Sequence, residues 1–222
     1  MNAKRRSTLK KMIAALSVVL VLLVGVAGTR AYLQVKTGSV QNTFAPSNID
    51  LTLAETATEG GSTTANTYKM IPGVKIVKDP KVTVKADIDC YVFVEVTETA
   101  NFDIYMTYAI ASGWKLFNTT SGETAVIAAD ADLDGTYVLF REVSADVAKD
   151  GKEFGVLADD QVLVPNTVTK GDMDELYNND GTVKADAELP KLTFTAYAIQ
   201  KNGFEDNLLG AWNEAHGQVS GS

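Results

Sequence analysis

Apolar residues occupy every even position from Val82 to Val96, with Thr83, Lys85, Asp87, Asp89, Tyr91, Phe93 and Glu95 between them. A period of two is that of a β-strand with one buried face. The unbroken parity predicts one continuous inward face, carried by a single long strand or by two strands kinked between Asp87 and Asp89. Tyr91 and Phe93 on the opposite face predict that the second half is covered on both sides. Ile49, Leu51 and Leu53 alternate with Asp50 and Thr52 in a shorter version of the same pattern. Further strands are predicted over 103–110, 114–117, 124–128, 136–143, 162–164 and 192–199. Gly, Asn and Asp turns between short strands specify a mainly β chain, an antiparallel sandwich or barrel. The Gly/Ser/Thr-rich stretch 56–67 reads as a loop within the domain, because the residues before it are too few to fold alone.

Two segments switch to helical spacing. Thr169-Lys170-Gly171-Asp172 has capping-box form ahead of Met173, Leu176 and Tyr177, and 178–181 ends that helix. Phe204, Leu208, Leu209 and Trp212 would share one face of a second helix. Core packing is the expected role of these apolar residues.

The N-terminus follows another pattern. Lys4, Arg5, Arg6, Lys10 and Lys11 precede an uncharged apolar run from Met12 to Ala27, followed by Gly28-Thr29-Arg30-Ala31. A basic flank, a short apolar core and small residues at Thr29 and Ala31 predict an export signal cut between Ala31 and Tyr32. The rival reading is a retained membrane anchor, against which Gly25 and Gly28 weaken a continuing helix. In either case the basic flank lies on the cytoplasmic side.

Cleavage would change the electrostatics. Six of the 20 Lys+Arg precede the cut and all 28 Asp+Glu follow it, which leaves 14 basic against 28 acidic residues, a net charge of −14. Such a body is repelled by nucleic acid and by anionic membranes, so neither is an expected partner after release. The single cysteine, Cys90, excludes an internal disulfide, and its inward parity predicts buried packing.

Catalytic motifs are sparse, and no catalytic residue is assigned. The one histidine, His216, stands in a Gly/Ser-flanked C-terminal segment and is expected to be a solvated tail residue. H-E-x-x-H zinc chemistry needs two imidazoles, and a serine hydrolase of the G-x-S-x-G kind lacks its turn here. Abundant acids do not by themselves mark a paired-carboxylate hydrolase. Asp130-Ala131-Asp132-Leu133-Asp134-Gly135 matches the first half of a calcium loop, making Asp130, Asp132 and Asp134 candidate calcium ligands. At the twelfth position, where a bidentate Glu is needed, stands Arg141, with Glu142 one step late. A hairpin between 124–128 and 136–143, with Asp134-Gly135 in its turn, accounts for the same residues. No other cofactor is expected.

Several stretches together carry a resemblance. They are Gly28-Thr29-Arg30-Ala31-Tyr32, Asn42-Thr43-Phe44, Asn48-Ile49-Asp50-Leu51-Thr52-Leu53, Tyr68-Lys69-Met70-Ile71-Pro72-Gly73, Lys78-Asp79-Pro80, Cys90-Tyr91-Val92-Phe93-Val94, Gly113-Trp114 and Leu192-Thr193-Phe194-Thr195-Ala196-Tyr197-Ala198. In this order they resemble the TasA/camelysin family of secreted proteins, which Gram-positive bacteria export through a SipW-type signal peptidase. Arg30 departs from the usual cleavage segment. The resemblance implies a jelly-roll-like β-sandwich with one or two short helices. It divides the chain into a signal peptide (1–31), an extended N-terminal segment (32–45) and a sandwich domain (46–222).

It also implies a structural role outside the cell, because TasA-like proteins build biofilm matrix fibres when the N-terminal strand of one subunit completes its neighbour's sheet. Tyr32, Leu33, Val35, Val40 and Phe44 would carry that donor strand here, freed by signal peptidase, in self-association or with a related surface protein. Main-chain pairing would supply affinity and alternate side chains the register. The other reading of this segment is a tail, or an edge strand folded back on its own subunit. The corresponding function is a monomeric secreted or surface-associated binding or accessory module. The camelysin branch implies metal-dependent proteolysis, which a lone His216 does not support.

Overall fold

The computed structural model describes residues 34–37, 49–58, 61–128, 131 and 133–220. The expected signal peptide and its expected cut at Ala31–Tyr32 lie outside the described residues. So do the candidate donor positions Tyr32, Leu33, Val40 and Phe44, and two of the candidate calcium ligands, Asp130 and Asp132.

In chain order the elements are β1 (Gln34–Thr37), β2 (Ile49–Ala54), β3 (Lys75–Val77), β4 (Lys81–Ala86), β5 (Cys90–Glu98), α1 (Phe102–Tyr105), β6 (Lys115–Phe117), β7 (Thr124–Val126), β8 (Thr136–Val143), α2 (Ala145–Ala148), β9 (Lys152–Gly155), β10 (Gln161–Leu163), α3 (Lys170–Leu176), β11 (Leu192–Gln200) and α4 (Leu208–Ser220). The described chain is mainly β and its sheets are antiparallel. A larger sheet has the order β1-β11-β5-β8-β6-β7, a smaller one the order β2-β4-β9, and β3 pairs with β10.

The long alternating run is carried by two strands in different sheets. β4 belongs to the smaller sheet and β5 to the larger, and the chain turns between them at 87–89. Parity survives the corner. Val82, Val84, Ala86, Cys90, Val92, Val94 and Val96 all enter one core, shared with Leu51, Leu139, Val143, Ala196 and Ala198 from both sheets. Cys90 is fully buried there, and burial together with the neighbouring Asp89 charge pushes its thiol up to about 12. It is a packing residue rather than a reactive thiolate.

The outer face of the larger sheet is also covered, as Tyr91 and Phe93 require. α4 lies against β11 and β1. Its Trp212 meets Phe93 at 5.3 Å, Tyr197 at 5.4 Å and Phe117 at 5.9 Å between ring centroids. The helix begins later than its apolar residues suggest: Phe204 precedes it, and the buried face is Ala211, Trp212 and Ala215.

A second cluster packs beneath β3 and β10, with Phe102, Tyr105, Leu157, Val162, Val164 and Leu176 among its members. Here the expected strand over 103–110 is corrected. Residues 102–105 form α1, in which Phe102 and Tyr105 are buried three apart while Ile104 is 58% exposed, so the period is three rather than two. Beyond it the chain makes only isolated bridges, Thr107 to Leu163 and Ile110 to Leu157. α3 starts as its capping box specifies: Thr169 Oγ1 accepts from the Asp172 amide at 3.3 Å and Asp172 Oδ2 accepts from the Thr169 amide at 2.7 Å.

One charged side chain shares the inward parity of β8. Arg141 follows Leu139 and precedes Val143 on that face, and its guanidinium lies between the rings of Trp114 (4.8 Å) and Phe154 (4.5 Å). Nη2 donates to the Ser112 carbonyl at 2.6 Å, and Trp114 Nε1 donates to the Gly155 carbonyl at 2.8 Å. Trp114 and Arg141 come from the side of the larger sheet, Phe154 and Gly155 from β9, so the stack ties the two sheets together. Burial lowers the pKa of Arg141 from its ordinary value.

Candidate functional site

β11 is the strand that positions the candidate site. β5 pairs with it along its whole length, Leu192 to Gln200, whereas β1 covers only Ala196 to Ile199, with Gln34 opposite Ile199 and Thr37 opposite Ala196. Among the described residues, the half of β11 from Leu192 to Thr195 therefore has a strand partner on one side only. Val35, the one expected donor-strand residue within the described range, pairs through its backbone with Ala198.

Beside the uncovered half lies a cleft of about 820 Å³. It is lined by 52–54 of β2, itself an edge strand among the described residues, and by 192–195 of β11, with Met70, Ile76, Phe102 and Met106 supplying apolar surface. Two strand edges beside an apolar trough suit an extended peptide, whose main chain pairs while alternate side chains enter the trough.

A polar cluster borders the cleft. Glu55 follows directly on β2, and its Oε1 receives Lys78 Nζ at 2.7 Å. Glu55 Oε2 accepts from Tyr68 Oη at 3.1 Å and from Asn66 Nδ2 at 3.4 Å. Lys78 Nζ also lies 5.5 Å from the Tyr68 ring centroid and 5.3 Å from that of Phe194. Burial, with the charge and hydrogen bond of Glu55, pushes the Tyr68 phenol up to about 12.

Next to it, Asp79 accepts from the Thr56 amide at 2.8 Å and from Thr56 Oγ1 at 2.7 Å. Burial acts to raise the pKa of Asp79, but the Thr56 donors and Lys81 outweigh it and hold the carboxyl below its usual range. Its contribution to stability is thus present above the unfolded carboxylate value and lost as pH falls through the lower folded value. Thr56→Val is expected to cost about 1.5–3 kcal/mol at neutral pH, with the gap to wild type narrowing below about pH 4. Urea titrations at pH 7 and pH 3 measure that change.

Of the three expected calcium ligands, Asp134 lies within the described residues. Carboxylate oxygens of Asp134, Glu98 at the end of β5 and Asp103 in α1 lie within 4.8 Å of one another. Tyr108 hydrogen-bonds to Glu98 and to Tyr137, and burial is the main cause raising both phenols. Calcium takes six to eight oxygens, so these three carboxylates would form part of a shell. Glu98 and Asp103 stand 36 and 31 positions before Asp134 in the chain, and no local motif marks them.

His216 is corrected from a solvated tail residue to a packed one. It lies in α4, stacked on Trp212 at 4.7 Å, with Nε2 3.8 Å from Glu95 Oε2. No helix among the described residues is long and apolar enough to cross a membrane. No family model, curated protein or solved structure matches the chain.

Proposed function

We propose that this chain is a secreted structural subunit of TasA type, a jelly-roll sandwich that assembles into extracellular fibres or biofilm matrix by donating its N-terminal segment to a neighbour. The observation that carries the reading is the edge of β11, which among the described residues β1 covers only from Ala196 to Ile199. The N-terminal segment has strand character there, pairs by its main chain, and leaves Leu192 to Thr195 beside a trough. A neighbour's freed segment would meet the same register along a longer edge. Export through a SipW-type peptidase, with cleavage between Ala31 and Tyr32, would supply the free end.

A second reading has its own support. β1 already lies on its own chain's β11, as in a self-contained secreted binding or accessory module that uses the cleft for a ligand.

Polymerisation separates the two. Protein beginning at Tyr32 is expected to form fibres visible by electron microscopy, and removal of 32–44 to abolish them. A sedimentation profile that stays monomeric at high concentration, with or without that segment, overturns the assembly reading.

A further inference from the structure

The cluster beside the cleft holds an amine, a carboxylate and a carboxamide in one arrangement. Lys78 Nζ and Asn66 Nδ2 both donate to the carboxylate of Glu55, at 2.7 and 3.4 Å. Lys78 and Glu55 side chains are only 12% and 14% exposed, and the rings of Tyr68 and Phe194 flank the amine. The carboxamide is oriented from its other end: Asn66 Oδ1 accepts from the Thr58 amide at 2.9 Å and from Thr58 Oγ1 at 3.1 Å. Two donors on one carbonyl oxygen polarise the carbon and would hold a developing oxyanion. Gly61 makes room for this, since a Cβ there would collide with Asn66 Oδ1.

We propose that Lys78 and Asn66 become joined by an intramolecular isopeptide bond, with Glu55 carrying the protons. The ion pair first passes a proton from Lys78 Nζ to Glu55, which leaves a neutral amine as nucleophile. Its lone pair attacks Asn66 Cγ, and the carbonyl electrons move onto Oδ1, held by Thr58. Glu55 then protonates Nδ2, the Cγ–Nδ2 bond breaks and ammonia departs as the carbonyl re-forms. The new amide nitrogen gives its extra proton to Glu55, which passes it to the ammonia. Lysine and asparagine become one amide plus ammonium, Glu55 returns to its carboxylate, and no oxidant or other reactant enters.

The bond would fasten the Gly/Ser/Thr-rich loop to Lys78 just ahead of β4. That is a covalent staple in a chain whose one cysteine cannot supply an internal disulfide. It forms whether or not the protein assembles.

Intact-mass measurement of the denatured full chain, with peptide mapping, tests the proposal. Wild type is expected to be one ammonia lighter than its sequence, with a branched peptide joining the Asn66 and Lys78 segments. Lys78→Arg and Glu55→Gln, shown by circular dichroism to be folded, are expected at full mass. Folded wild type at full mass with two separate peptides overturns the proposal, as does the same deficit in Lys78→Arg. Should neither variant fold, the presence or absence of the branched wild-type peptide decides.

Discussion

Replacing Trp212 with alanine is expected to destabilise the protein by about 3–5 kcal/mol, the usual cost of deleting a buried tryptophan. The indole is 5% exposed and lies against Phe93, Phe117 and Tyr197 of the larger sheet, with His216 stacked on its other side. Its removal deletes aromatic contacts on both sides and opens the outer surface of β5 to water. Trp212→Phe retains an aromatic ring and is expected to cost less. Urea unfolding should show a lower midpoint with little change in slope. Because α4 also lies against β1, hydrogen exchange at 34–37 is expected to quicken in the alanine variant. Unchanged midpoint and exchange would mean that the helix is not what secures this side of the sheet.

Gly113→Ala and Arg141→Ala are each expected to cost roughly 2–4 kcal/mol, and the two losses should not add. Arg141 loses contacts with two rings and a hydrogen bond to a carbonyl. Gly113 has φ +86°, where a side chain costs about 1–2 kcal/mol in backbone strain. Its added Cβ would also lie 3.0 Å from Cζ of Arg141, displacing the guanidinium from the stack. With Arg141 already alanine, Gly113→Ala should cost only the backbone part. Strict additivity in the double mutant would show that the stack and the turn are independent.

The contrast between readable and unreadable features has a physical origin. The inward face from Val82 to Val96 was legible because parity is local and survives a corner, though parity alone did not say that the corner changes sheets. The capping box at Thr169 and Asp172 is a four-residue signal and placed α3 correctly. α1 was misread because a single helical turn offers too few residues for its period to beat alternation. β3, β9 and α2 are three or four residues long and carry no turn signature strong enough to announce them. Of the candidate site, the sequence marked the N-terminal segment as a candidate donor and 192–199 as a strand, but not that the two pair. Glu55, Asn66 and Lys78 could not be grouped, because tertiary folding alone makes neighbours of a strand end, a loop and the residue after β3. Asp134 was picked out with Asp130 and Asp132, and among the described residues the fold also sets Glu98 and Asp103 beside it, which no local pattern announces.

The position of β11 between β1 and β5 sets the order in which the chain can mature. Residues 34–37 pair with 196–199, so the larger sheet cannot close until the chain has been made through β11. Pairings that distant make folding slow. A chain that closes late stays threadable for longer, which would suit the export proposed above.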